Sequence, residues 1–196
     1  LQSRLEARQV RRSAGIVAIS HAMTDRAERI WGRMPRVEVV RNCIDVAAVR
    51  HAAATRRPPA GWPGPDGPIV LFLGRAERRK GGVDGVDAFA RVAQRHPTAR
   101  LVLAGAGGDD RFEPSRAALL DRVPSAARDR VTFLGHVSGD ELYGAIAAAD
   151  VVMCPSLWEG FGNVAVEVMA AGAPLVVTSN SGFDDFCTDG ADCLMV

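Results

Sequence analysis

From Ile69 onward, short runs that are apolar throughout alternate with longer stretches of mixed polarity. The apolar runs fall at Ile69 to Leu73, Arg100 to Ala104, Val131 to Leu134, Val151 to Cys154 and Leu175 to Thr178, with Leu194 to Val196 as a sixth. Runs this short and this uniformly apolar mark strands buried on both faces, since a half-exposed strand would alternate. The stretches between them read as helices near Gly82 to Arg95, Pro114 to Arg128, Gly139 to Ala148 and Gly162 to Ala171. Strand and helix in strict alternation predict an α/β domain with a parallel sheet covered on both faces. Right-handed crossovers make it a doubly wound, Rossmann-like domain over residues 69–196.

The pattern before Ile69 is different. Residues 1–12 look helical and Arg-rich, Gly15 to Ser20 is a short strand-type run, and His21 to Trp31 reads as a helix ended by Gly32 and Pro35. Val37 to Val40 makes a second strand, and Asn42 to Asp45 turns the chain. Two strands and two helices cannot bury a core of their own. Residues 1–55 are therefore expected to be the C-terminal remnant of another domain. Residues 56–68, with R-R-P-P-A-G-W-P-G-P-D-G-P inside them, have the proline and glycine content of a linker. The chain starts at Leu1 and stops inside the apolar run 193–196, so it is expected to be a fragment cut at both ends.

Composition narrows the partners. With 24 basic and 23 acidic residues the formal net charge is +1, which gives no reason to expect nucleic acid, so any anion site must be local. Every basic residue is Arg except Lys80. Cys43, Cys154, Cys187 and Cys193 show neither C-x-x-C pairing nor histidines at zinc-finger spacing, so buried free thiols in a reducing compartment are expected. No apolar run reaches the ~18 residues of a membrane span.

In a doubly wound sheet, ligands bind off the carboxyl ends of the strands. The first such loop is G-R-A-E-R-R-K-G, Gly74 to Gly81, where Arg75 offers a planar fork and Lys80 a compact charge. Together they suit a diphosphate, although the same residues also make an ordinary solvated helix start. The second loop, A-G-A-G-G-D-D, fails as a dinucleotide fingerprint because it follows the second strand and has Asp110 where the third glycine belongs. It reads as a tight glycine turn against neighbouring loops. The third ends at Gly135, His136 and Val137, with no carboxylate or serine spaced for a triad. The fourth, Pro155 to Gly172, reads P-S-L-W-E-G-F-G-N-V-A-V-E-V-M-A-A-G and carries Glu159 between aromatics and glycines, then Glu167 on an apolar helix. Gly160 and Gly162 permit close backbone approach to a ligand. Bare amides at the helix N-terminus would face an anion. The two carboxylates can converge on one ligand, while the alternatives are an exposed loop charge for Glu159 and an arginine partner for Glu167.

With G-R-x-x-x-x-K-G after one strand and E-G-F-G-x-x-x-x-E after another, followed by M-A-A-G-A-P-L-V-V, the chain resembles the donor half of a retaining GT-B glycosyltransferase of the family-four type. V-A-I-S and V-V-R-N-C-I-D likewise resemble the end of that family's acceptor domain, with Arg41 and Cys43 in the first and third places of the usual P-N-G-V-D, which implies that residues 1–55 are a fragment of a second Rossmann-like domain. The resemblance implies transfer of a sugar from a nucleotide-diphosphate sugar to a glycan, lipid or small-molecule acceptor with retention of configuration. It implies that Arg75 and Lys80 hold the diphosphate without a metal or other cofactor, near Gly74. Glu167 would take the ribose hydroxyls and Glu159 the transferred sugar. Gly160 and the amides of Phe161, Gly162 and Asn163 would lie by phosphate or sugar, and Gly135, His136 and Val137 by the base. No protein nucleophile is implied. The location implied is cytoplasmic, with room for peripheral contact at the inner face of the membrane through the N-terminal domain, and the isolated fragment is expected to be inactive. Two departures stand out: Cys193 replaces a usual glycine, and Asp185 stands where glutamate is common. Two rivals share the donor site, a non-catalytic nucleotide-sugar-binding module and a GT-B-fold epimerase or hydrolase, and the latter lacks a placed acid/base pair. A nicotinamide-dependent oxidoreductase is weakened by the failed fingerprint.

Overall fold

A computed structural model describes residues 2–109, 111–137 and 139–196. Of the positions discussed above, Leu1 and Asp110 lie outside the described residues. The chain begins with α1 (Gln2–Arg12), β1 (Ile16–Ala18), α2 (His21–Trp31), β2 (Val37–Val39) and α3 (Val46–Thr55). It continues with β3 (Ile69–Leu73), α4 (Gly82–Arg95), β4 (Arg100–Ala104), α5 (Arg116–Leu120), β5 (Val131–Gly135), α6 (Asp140–Ala147), β6 (Val151–Cys154), α7 (Asn163–Ala171), β7 (Leu175–Val177) and β8 (Leu194–Met195). β1 and β2 pair in parallel as a small two-stranded sheet, Ile16 opposite Val37. The other strands form one six-stranded parallel sheet in the order β5-β4-β3-β6-β7-β8.

Why these strands are apolar throughout is visible in their side chains. Leu71, Leu73, Val102 and Val152 join Ile146 of α6 and Val168 of α7 on one face. Phe72, Leu101, Leu103 and Met153 join Val86 and Phe89 of α4 and Leu119 of α5 on the other. Consecutive residues thus enter opposite cores, and a polar residue on either side would be stranded without water. The parallel α/β sheet with helices on both faces follows the expected class.

Three local expectations differ. The stretch after Asn42–Asp45 is the helix α3, which sequence reading left without an element; Asp45 is its N-cap, accepting from the Ala48 amide at 2.9 Å, and Val49 and Ala52 are its buried positions. Its alanines gave only a weak apolar stripe. The long helix expected over Pro114 to Arg128 is two pieces, α5 and a 3-10 turn at Ser125–Arg130. Pro124 separates them, because it supplies no N–H and disfavours helical geometry at Val123. The proline-rich stretch 56–68 is also less free than its composition suggests. A Cβ on Gly144 of α6 would sit 2.3 Å from the Arg57 carbonyl oxygen, and Trp62 packs on the core. Among the described residues, no helix is long and apolar enough to cross a membrane.

Candidate functional site

The chain passes outward from β3 through β4 to β5 and then returns to β6 on the other side of β3. Strand order therefore reverses between β3 and β6, and a crevice opens off their carboxyl ends, where open α/β sheets bind ligands. The two loops flanking it are 74–81 and 155–162. Gly81 locks them together: its φ is +72°, and a Cβ there would lie 1.8 Å from the Pro155 carbonyl oxygen. The Leu157 amide donates to the Arg79 carbonyl at 2.9 Å across the same seam.

This clamp sets Lys80 against Glu159. Lys80 Nζ donates to Glu159 Oε1, Ser156 Oγ donates to the same oxygen at 2.8 Å, and Arg79 Nη1 stands 3.9 Å from Oε2. Glu159 is 8 % exposed, so it is a buried carboxylate matched by cations and a hydroxyl, not an exposed loop charge. Both residues line a cavity of about 300 Å³ together with Ser156, Gly160, Phe161, Gly162 and Asn163. Gly162 is the N-cap of α7, and no side chain caps that end. The φ of Gly162 is +99°, and a Cβ would meet the Phe183 ring at 2.3 Å, so the helix can start there only with glycine. The cavity thus combines an ammonium, a carboxylate and an uncapped helix N-terminus, which suits a ligand with both phosphate and hydroxyl groups. Cys154 at its base stays a thiol, because burial and then the Glu159 charge push it up to about 12.

The other expected residues are placed less uniformly. Glu167 lines a neighbouring cavity of about 110 Å³, not the one at Lys80; Asn42, Phe161 and Asn163 line both. Among the described residues its partner is the Tyr143 hydroxyl, not an arginine. Burial raises the Glu167 carboxyl above its ordinary range, opposed by the Tyr143 hydrogen bond, and burial followed by the Glu167 charge raises the Tyr143 phenol. The two carboxylates therefore occupy adjacent cavities joined at Phe161 and Asn163. Arg75 pairs with Glu77 at 2.8 Å, is half exposed, and lies outside both linings. Gly74 donates its amide to the Ala104 carbonyl at 3.0 Å, and a Cβ on Gly105 would lie 2.0 Å from the Gly74 oxygen. The second glycine loop therefore serves to pack against the first. Gly135 accepts from the Gly105 amide at 2.7 Å, His136 is exposed, and Val137 packs on the core. None of these last three lines the two cavities.

Sequence reading missed the contribution of the chain before β3. Ser20, fully buried, caps α2 through the Met23 amide and donates its hydroxyl to the Gly160 carbonyl. Asn42 Nδ2 donates to Asn163 Oδ1 at 2.8 Å. Asp185 accepts from the His21 amide at 3.1 Å, faces His21 Nδ1 at 2.9 Å and takes Arg41 Nε at 3.4 Å. Burial alone would raise the Asp185 carboxyl, but His21 and Arg41 outweigh it and hold it below its ordinary 3.8. The serine before a helix was the one legible signal of this seam. A group of metal-competent donors, Cys187, Asp192 and Cys193, lies apart from the linings of both cavities.

Comparison with known proteins bears on this site. Residues 67–196 match the family described as glycosyl transferases group 1. The chain is 34% identical over 183 residues to a glycogen synthase of Mycobacterium tuberculosis, covering 92% of this chain and 41% of that relative. It is 35% identical over 174 residues to a D-inositol 3-phosphate glycosyltransferase of Acidothermus cellulolyticus, covering 85% of this chain and 38% of the relative. The chain therefore spans about two fifths of the length of these curated relatives. Among solved structures, a sucrose-phosphate synthase from Thermosynechococcus elongatus superposes with a TM-score of 0.76 at 26% identity, over 100% of this chain and 48% of that one. HepE of Anabaena, solved in complex with UDP and glucose, superposes with a TM-score of 0.80 at 22% identity, over 99% of this chain and 52% of its own.

Proposed function

This chain belongs to the glycosyl transferases group 1 family, with a sheet of GT-B type, and from that premise we propose that it supplies the donor site of a retaining, family-four hexosyltransferase using a nucleotide-diphosphate sugar. The single observation that carries the reading is the Lys80–Glu159 pair, with its carboxylate buried, lining the cavity at the strand-order reversal. A ligand entering there meets the ammonium for its phosphate oxygens, the carboxylate for its sugar hydroxyls and the amides at the start of α7. HepE was solved with UDP and glucose bound, which makes a uridine donor the first to try.

In this reading the leaving diphosphate gathers negative charge as the glycosidic bond breaks, and Lys80 is already in place to stabilise it. Arg75 turns from Glu77 to the second phosphate, and both cations together take the part a metal would otherwise play. Glu159 trades its contact with Lys80 for hydroxyls of the transferred sugar. Phe161 and Asn163 carry the ligand across to the smaller cavity, where Glu167 accepts from the ribose hydroxyls. Gly74 and Gly160 keep the backbone low around the diphosphate, and Gly135, His136 and Val137 border the base. No side chain is assigned as nucleophile; the acceptor attacks the same face that the diphosphate leaves. Residues 1–55 close the acceptor domain, 56–68 strap the two parts and 69–196 bind the donor. The whole enzyme is cytoplasmic, with peripheral contact at the membrane's inner face, and this chain by itself binds donor without turnover.

The test is sugar transfer by the full-length enzyme with a panel of UDP- and GDP-sugars, repeated with Glu159→Ala. The expected result is transfer from one donor class and a loss of about 100-fold or more in the variant, the scale of one lost transition-state contact. Robust transfer that is unchanged in Glu159→Ala contradicts the assignment.

A further inference from the structure

Beyond the donor site, the turn leading into β8 gathers two thiols and a carboxylate. Cys187, Asp192 and Cys193 each present a donor atom, and the three atoms lie within 4.8 Å of one another. Both cysteines are buried and Asp192 is exposed, so two thiols line a dry floor and the carboxylate stands at the solvent side. The turn is already closed: the Thr188 amide donates to Asp192 Oδ1 at 2.8 Å, and the Gly190 amide donates to the Cys193 carbonyl at 2.9 Å. Sequence spacing hid this group, since five residues separate the cysteines and no histidine accompanies them.

We propose that Cys187, Cys193 and Asp192 form a structural site for one soft-to-borderline divalent cation of the zinc class. Zinc takes thiolate sulfur at about 2.3 Å and carboxylate oxygen at about 2.0–2.2 Å, which in a tetrahedron puts its two sulfurs about 3.8 Å apart. From donor atoms within 4.8 Å of one another, reaching those distances takes a closure of about 1 Å. Binding replaces two S–H bonds with two metal–sulfur bonds and releases two protons to solvent. Two sulfurs exclude calcium and magnesium, which prefer all-oxygen shells. Three protein donors leave the fourth position of the tetrahedron to water. The cation would fasten the segment after β7 to β8. Cys187 is tied to that segment through its amide, which donates to the Phe183 carbonyl at 2.8 Å, and Phe183 lines the donor cavity.

The experiment uses the reduced, chelator-stripped chain titrated with Co²⁺ and then Zn²⁺. Expected are one Co²⁺ per chain, thiolate-to-cobalt absorption in the near ultraviolet, tetrahedral bands in the visible and bleaching of both by Zn²⁺. Cys187→Ser and Cys193→Ser should each remove about half of the thiolate absorption or all of it, while Cys43→Ser changes nothing. Asp192→Asn keeps an acceptor for the Thr188 amide and should fold, yet weaken Co²⁺ binding by at least the tenfold typical of an outer-shell partner. Absence of thiolate-to-cobalt absorption in the folded, reduced chain overturns the proposal. So does Co²⁺ affinity in Asp192→Asn equal to wild type, or a thiol count showing Cys187 and Cys193 joined as a disulfide that no added metal prevents.

Discussion

At the scale of single residues, the Lys80–Glu159 pair is the feature on which most rests. Removing Lys80 leaves a carboxylate that is 8 % exposed with, among the described residues, only Ser156 and the more distant Arg79. Lys80→Ala should destabilise the chain by about 3 kcal/mol, as for other broken buried pairs. The double variant with Glu159→Ala should recover part of that, and denaturant unfolding of all four forms checks it; strictly additive singles would deny the coupling. Glu167 gives a pH test. Its folded pKa is raised by burial above the ordinary 4.5, so the folded state holds the proton more tightly than the unfolded chain. Its contribution is present below pH 4.5 and lost as pH rises through the folded value. Glu167→Gln should flatten that decline in the urea midpoint, and an unchanged profile would point elsewhere. Lys80 was legible because it is the one lysine, and Glu159 because glycines and aromatics surround it. Arg75 was legible only as a residue type: its pairing with Glu77 depends on how loop 74–81 bends, which spacing does not encode.

At the scale of elements, loop and helix ends set the site. Gly81→Ala would force a side chain to φ +72° and against the Pro155 oxygen. The expected penalty is about 1–3 kcal/mol for the backbone alone, with a further loss of ligand affinity as Lys80 moves from Glu159. Thermal unfolding and UDP titration of the variant measure both. The N-terminus of α2 is held by Asp185 on the segment after β7. The net shift of Asp185 is downward, so this contribution is present above pH 3.8 and lost as pH falls through the lower folded value. Asp185→Asn should lower stability at neutral pH by about 1 kcal/mol, the scale of a lost cap, and blunt the acid loss below pH 3.8; equal acid sensitivity in both forms would remove Asp185 from that role. Strands buried on both faces were fully legible, since Leu71, Phe72 and Leu73 must each be apolar whichever way they point. α3 was not, because its alanines and valines carry little contrast and Asp45 serves equally as turn residue or cap. The seam between Ser20, Asn42, Asp185 and the later chain was not legible either, since partners 121 to 164 residues apart have no local signature.

At the scale of the whole molecule, topology decides where the chemistry sits. The order β5-β4-β3-β6-β7-β8 puts the reversal between β3 and β6, and the two loops with the most promising side chains are the two that flank it. Alternation of strand and helix predicts the class of sheet, but only strand order singles out the two loops flanking the reversal, and order is fixed by pairing that a single sequence does not display. The chain just after β1 and just after β2 then reaches this cavity, with Ile19 and Asn42 in its lining. The central claim is that this cavity grips a nucleoside diphosphate through Lys80. Its most direct test is calorimetric titration of the folded chain and of Lys80→Ala with UDP and with GDP. One nucleotide should bind the wild type at a single site, and Lys80→Ala should weaken it by about 10- to 100-fold, the worth of a charge-assisted contact. Failure of the folded wild type to bind either nucleotide, or equal affinity in Lys80→Ala, would contradict it.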